Sequence, residues 1–227
     1  MDHSMHEAPI VERGMRAAYR AGTAVVLGHS IDDLAAIARP DVQLAVWRRK
    51  LAPSLAAWLD TLSPDVLPEL HTVGRPGALG HSLVRALDAC AMPADDMRAY
   101  LVEDVTRLAA VFARIVGTAE IDLRLERIAD DACWRFHRDC VDARLITTYR
   151  GPATEWVAPE NADDAIAAQT GYSGPIECLE PHDVALFKGS CAGQGQGIVH
   201  RSPPVAGTRL VRLLLVLNDP RAFGHGY

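Results

Sequence analysis

The chain has 227 residues, 49% of them hydrophobic and 23% charged, enough to bury one good core with a helical annex. A formal net charge of −6 argues against general affinity for phosphate backbones or anionic lipid, so nucleic acid is not an expected partner. No run approaches the roughly 18 apolar residues of a membrane span, and the opening MDHSMHEAPIVERGMR lacks the apolar core of a secretory signal, so the chain reads as cytoplasmic.

The first half reads as helical. VQLAVWRR (42–49) is ambiguous between helix and strand, whereas SLAAWLDTL (54–62) and HSLVRALDAC (81–90) carry apolar residues at helical spacing. PADDMRAYLVEDVTRLAAVFARIVG (93–117) has Pro and Asp at its start, Gly117 at its stop, and Met97, Leu101, Leu108, Val111, Phe112 and Ile115 along one stripe. These segments predict a helical layer that needs an apolar surface to cover.

After Gly117 the pattern changes to short β-rich runs separated by turns: EIDLRLERI, CWRFHRD, ARLITTYR, TEWV, DVALFKGS, GIVHRS and TRLVRLLLVLN. Residues 158–175 read as a polar loop with one helical turn. GQGQG (193–197) lacks the βαβ surroundings of a dinucleotide fingerprint and reads as a flexible turn before His200. The expected class is α+β. Residues 1–118 form a helical region packed on a β-barrel core that spans 119–227.

Five cysteines, Cys90, Cys133, Cys140, Cys178 and Cys191, are an odd number without a CxxC pair, which disfavours a disulfide framework and a zinc knuckle alike. In CWRFHRDC (133–140) strand alternation puts His137 and Asp139 on one face with Arg135 and Cys133, and Trp134, Phe136 and Arg138 on the other. The aromatic face then suits the helical layer and the polar face points inward. A buried polar pair is costly unless something satisfies it, and a metal ion does so with charge as well as coordination. Cys133 and Cys140 bracket the pair and are within reach of a softer metal. On the following strand Leu145, Thr147 and Tyr149 share one face, which places two hydroxyls in the cavity if that face is the inner one.

A His-x-Asp pair alone arises readily by chance. His200 follows Asp139 by 61 residues in a β-context, and Arg209 follows His200 by nine. Two histidines and one carboxylate bind Fe(II) on one face and leave open positions, and an arginine deep in the cavity grips a carboxylate through two parallel hydrogen bonds.

From about residue 119 to 218 these motifs, in this order, resemble the iron(II)/2-oxoglutarate-dependent dioxygenases, especially the prolyl-hydroxylase-like branch. LRLERIADDACWRFHRD resembles that family's approach to His-x-Asp, RLITTYRGPATEW its next strand and Gly-rich turn, LEPHDVALFKGS the strand before the distal His, and HRSPPVAGTR the distal His with its following Arg. The resemblance implies a double-stranded β-helix, that is, a jelly-roll or cupin-like barrel. It implies His137, Asp139 and His200 as ligands of Fe(II), Arg209 as the residue holding the far carboxylate of 2-oxoglutarate, and Tyr149 as a further contact. Arg212 competes with Arg209 for that role. The implied reaction is hydroxylation of a substrate, either a small molecule or a protein side chain. The whole chain also resembles an uncharacterised bacterial family, some of whose members are encoded beside zinc-homeostasis GTPases. That second resemblance keeps a rival open: a non-catalytic cupin-like protein that binds or senses zinc, with Cys140 or Cys133 supplementing the histidines.

Overall fold

A computed structural model describes residues 24–193 and 197–223, so residues 194–196 of the expected turn before His200 lie outside the described residues. Helix α1 spans Pro53–Thr61, α2 Pro76–Ala89 and α3 Asp96–Val116. Each predicted helix is present. Asp95 caps α3 by accepting from Arg98 N, and Gly117 ends it at φ 71°, a left-handed conformation in which the absence of a Cβ removes the steric cost. Leu101, Val105, Leu108 and Phe112 make its buried stripe.

The first half is not all helix, which corrects the sequence expectation. It supplies strands β1 (Val25–Gly28), β2 (Leu44–Trp47) and β3 (Leu70–Gly74), the second resolving the ambiguity at 42–49. The second half adds β4 (Ile121–Ile128), β5 (Ala143–Arg150), β6 (Glu155–Val157), β7 (Glu177–Cys178), β8 (Val184–Lys188), β9 (Val199–Arg201) and β10 (Arg212–Asn218). Seven strands form one sheet in the order β1-β2-β8-β5-β10-β4-β3, and three form a second in the order β7-β6-β9. The large sheet therefore takes strands from both sides of residue 118. Its neighbours are antiparallel except β1 and β2. Among the described residues the strands form these two sheets and not a closed barrel. Short helix α4 (Ala162–Ala168) lies within 158–175, where a polar loop with one helical turn was expected.

Each face of the large sheet has its own apolar layer. Leu123, Leu125, Leu145, Leu213, Leu215 and Leu217 pack against the helices. The alternate residues Ile146, Leu214 and Val216 meet Trp156, Leu179 and Ile198 of the small-sheet side. All seven residues of β10 are buried, which explains the nearly unbroken apolar run RLLLVLN: a strand covered on both faces has no solvent side.

Candidate metal centre

Residues 133–140 do not form the expected strand. Their one ladder contact is an isolated antiparallel bridge in which His137 N donates to His200 O at 3.0 Å and His200 N to His137 O at 3.1 Å. Directly opposed residues project to the same side. The two imidazoles consequently lie with centroids 4.5 Å apart. Asp139 reaches both rings, Oδ1 at 3.5 Å from His137 Nε2 and Oδ2 at 3.3 Å from His200 Nε2. One ligand atom from each of the three residues falls within 4.8 Å of the others. The aromatic side of the segment does not meet the helical layer: Phe136 packs with Val157, Ala162 and Val199 beside α4.

The orientation of the rings bears on what they can bind. His137 Nδ1 is 2.8 Å from Arg135 O, and His200 Nδ1 is 3.2 Å from Ile198 O. A carbonyl only accepts, so each Nδ1 carries a proton and each Nε2 faces Asp139, able to donate when the ring is protonated and to coordinate a metal when it is neutral. Burial by itself would raise the Asp139 carboxyl. The His137 and His200 rings beside it and the charge of Arg144 instead hold it well below the usual carboxylate range. The Asp139 hydrogen bond is likewise what raises His137. Asp139 Oδ2 is nonetheless a buried oxygen without a well-aligned hydrogen-bond donor. Two imidazole nitrogens and an anionic oxygen converging on one point, with an orphaned lone pair among them, fit a divalent transition metal.

Neither cysteine that brackets the pair joins this group. Cys140 turns to Cys191, their sulfurs 3.5 Å apart. The donor set thus lacks the thiolate that the zinc reading drew on.

The site opens on a cavity of about 610 Å³ whose floor is the large sheet, with Ile146, Leu214 and Val216 among its apolar lining. Arg144 also lines it, ion-paired through Nη1 with Asp139 Oδ1 at 2.7 Å and donating from Nε to Asn218 Oδ1 at 2.7 Å. Asn218 Nδ2 in turn donates to buried Asp122 Oδ2 at 3.1 Å, and Arg124 Nη2 and His71 Nε2 reach the same carboxylate at 3.3 and 2.7 Å. A polar chain therefore crosses β5, β10, β4 and β3 and ends on Asp139. Residue-by-residue reading missed Arg144, Asn218 and Asp122. The available signal was polar residues at alternate positions of otherwise apolar strands.

The two residues expected to contact a cosubstrate are placed differently from the sequence reading. Arg209 is exposed, in the loop before β10. Turn residues at 205–208, with Gly207 at φ 73°, break the strand between His200 and β10, so counting from His200 gives no face. Arg212, the competitor, is fully buried at the start of β10 on the cavity face. It donates from Nε to Pro152 O at 2.8 Å, from Nη1 to Ser202 Oγ at 2.5 Å and from Nη2 to Thr154 Oγ1 at 3.2 Å. All three partners are neutral. Burial lowers its pKa to about 10, which still leaves it charged at neutral pH. Thr154 and Ser202 line the cavity together with His137 and His200. Tyr149 faces the other way: its hydroxyl donates to Asp104 Oδ2 of α3 at 2.5 Å, inside the helix-side core. The alternation along β5 is as read, but the cavity lies on the side of Arg144 and Ile146.

The family described as "Protein of unknown function (DUF1826)" matches residues 28–218. No protein with a curated description matches the chain. Solved structures similar to it include a dioxygenase for auxin oxidation in rice, at 13% identity and TM-score 0.48, covering 87% of this chain and 82% of that one. Another is a full-length Neurospora crassa protein in complex with alpha-KG, at 11% identity and TM-score 0.43, covering 89% and 86%. A third is a Pseudomonas putida prolyl-4-hydroxylase, at 17% identity and TM-score 0.32, covering 76% and 97%.

Proposed function

We propose that this chain, which belongs to the DUF1826 family of proteins of unknown function, is an Fe(II)/2-oxoglutarate-dependent oxygenase that hydroxylates a small molecule or a protein side chain. One observation carries the reading. Two histidines with their Nδ1 atoms fixed on backbone carbonyls present Nε2 to one buried aspartate at the end of a cavity.

Held by His137, Asp139 and His200, the metal with its cosubstrate would supply oxidation of a C–H bond by dioxygen, coupled to decarboxylation of 2-oxoglutarate to succinate. The residues of the chain bind and orient. Arg144 fixes one Asp139 oxygen, so the carboxylate meets the metal without swinging. Arg212 has more N–H donors than its three neutral oxygen partners use. Thr154 and Ser202, which hold Arg212, line the cavity, and a 2-oxoglutarate whose far carboxylate reached past them to the spare donors would give this buried cation its anionic partner. Ile146, Leu214 and Val216 keep water from the floor of the cavity.

The test is an anaerobic titration of metal-stripped protein with Fe(II) and then 2-oxoglutarate, following the visible charge-transfer band of chelated cosubstrate. A saturable band that is absent in His200→Ala is expected. Tight Fe(II) binding without a band at any cosubstrate concentration refutes the oxygenase reading.

A further inference from the structure

On the outer side of the loop that carries Asp139, two thiols meet. Cys140 Sγ and Cys191 Sγ are 3.5 Å apart and share a hydrogen bond although 51 residues separate them in sequence. Both residues are exposed. The meeting is imposed by the backbone. Ser190 N donates to Asp139 O at 2.8 Å, Cys191 N to Val141 O at 3.2 Å and Gly189 N to Asp142 O at 3.1 Å. Ser190 Oγ adds a bond to Asp139 O at 3.1 Å. At Gly189 the strands of chain are so close that a Cβ would stand 2.2 Å from Val141 O and 2.6 Å from Asp139 O. No larger residue fits there without separating the two segments, and separating them would separate the sulfurs. The other cysteines are placed apart: Cys90 donates to Val66 O and Leu87 O, Cys133 lines the cavity, and Cys178 sits on β7.

We propose that Cys140 and Cys191 are a redox-active pair that closes to a disulfide on exposure to hydrogen peroxide, tethering the Asp139 loop to residues 189–192. One thiolate attacks a peroxide oxygen, the O–O bond breaks, and a sulfenic acid and one water result. The second thiol attacks that sulfur and expels a second water, so two thiols lose two electrons and two protons and the peroxide takes them up. The sulfurs need to approach by only about 1.5 Å to reach bonding distance. Nothing in this step involves the metal, so it stands or falls separately from the oxygenase reading.

The test uses the full, reduced chain treated with one equivalent of hydrogen peroxide and digested without reductant. A Cys140–Cys191 cross-linked peptide pair lighter by two hydrogens is expected, abolished by Cys140→Ser or Cys191→Ser and retained in Cys178→Ser. Hydrogen exchange across residues 137–142 is expected to slow at least several-fold in the oxidised protein and to recover with dithiothreitol. The proposal is overturned by sulfinic or sulfonic acid without a cross-link, by pairing with Cys133 or Cys178, by a bond between two chains, or by a cross-link that leaves exchange unchanged.

Discussion

Replacing Arg212 tests which arginine serves the cavity. Its guanidinium is fully buried and meets only neutral oxygens, so an arriving carboxylate would form its first ion pair there. Truncating one partner of a buried, hydrogen-bonded charge pair costs about 2–4 kcal/mol. At 25 °C that is roughly 30- to 700-fold in dissociation constant. Arg212→Met is expected to weaken 2-oxoglutarate by that factor in the anaerobic charge-transfer titration. Arg212→Lys should fall in between, because it keeps the charge and loses the planar fork. The substitution also deprives Pro152 O, Thr154 Oγ1 and Ser202 Oγ of a donor, at about 1 kcal/mol or more each. Fe(II) affinity and the thermal midpoint are therefore measured beside it. A folded variant that binds Fe(II) normally isolates the cosubstrate effect. Arg209→Ala, at an exposed loop position, should change nothing. If Arg209→Ala weakens the cosubstrate while Arg212→Met leaves it intact, the assignment is refuted.

Three further outcomes are expected. Arg144→Met frees Asp139 Oδ1 from its 2.7 Å partner and should weaken Fe(II) about 10- to 100-fold by calorimetry, and unchanged affinity would show that Asp139 needs no such support. Tyr149→Phe loses the bond to Asp104, about 1–2 kcal/mol, and should lower the thermal midpoint by roughly 2–8 °C while leaving 2-oxoglutarate affinity unaltered, whereas a cosubstrate defect would return Tyr149 to the cavity. Because Asp139 raises His137 above its ordinary 6.5, protons compete for Nε2, and Co(II) affinity should rise about tenfold per pH unit up to that raised pKa and then level off. In the metal-free protein the sign reverses: the protonated His137–Asp139 pair stabilises the fold below pH 6.5, and the contribution is lost as pH rises through the folded-state pKa. A metal affinity flat from pH 5.5 to 8 would remove His137 from the ligand set.

Local signals made α3 legible, because Asp95 and Gly117 bracket an unbroken apolar stripe. The alternating β4 and β5 and the apolar β10 were legible for the same reason. β1 and β3 were not. They run four and five residues at the two ends of the sheet, and their state is decided by pairing with β2 and β4. At the site, chain order with His200 was enough to bring His137 and Asp139 forward as a set. Choosing between arginines was beyond it, since a turn erases strand parity before β10. Tyr149 was assigned the wrong side because a strand buried on both faces gives alternation without saying which face holds the cavity. Arg144 and the Cys140–Cys191 pair depend on contacts 74 and 51 residues away, which no local pattern carries.

The two faces of the large sheet divide stability from chemistry. On the helix side Leu213, Leu215 and Leu217 join a continuous apolar layer, with the ion pair of Arg49 and Asp104 set beside Tyr149. On the cavity side the sheet carries Arg144, Asn218, Asp122 and Arg124, a chain that ends on Asp139 of the 133–140 segment. A buried ionic chain rarely gains stability over apolar side chains of the same volume, since desolvation offsets its attractions. Its fixed hydrogen bonds do hold side chains in one orientation, and a metal ligand requires that. Asn218 is the telling member, for it passes the constraint from β4 to β5 without adding charge. Asn218→Leu should therefore weaken Fe(II) and also lower the thermal midpoint, because Arg144 Nε loses its acceptor and Asp122 Oδ2 a donor at about 1 kcal/mol or more each, and a variant that loses stability but keeps its metal affinity would show the chain to be part of the packing instead.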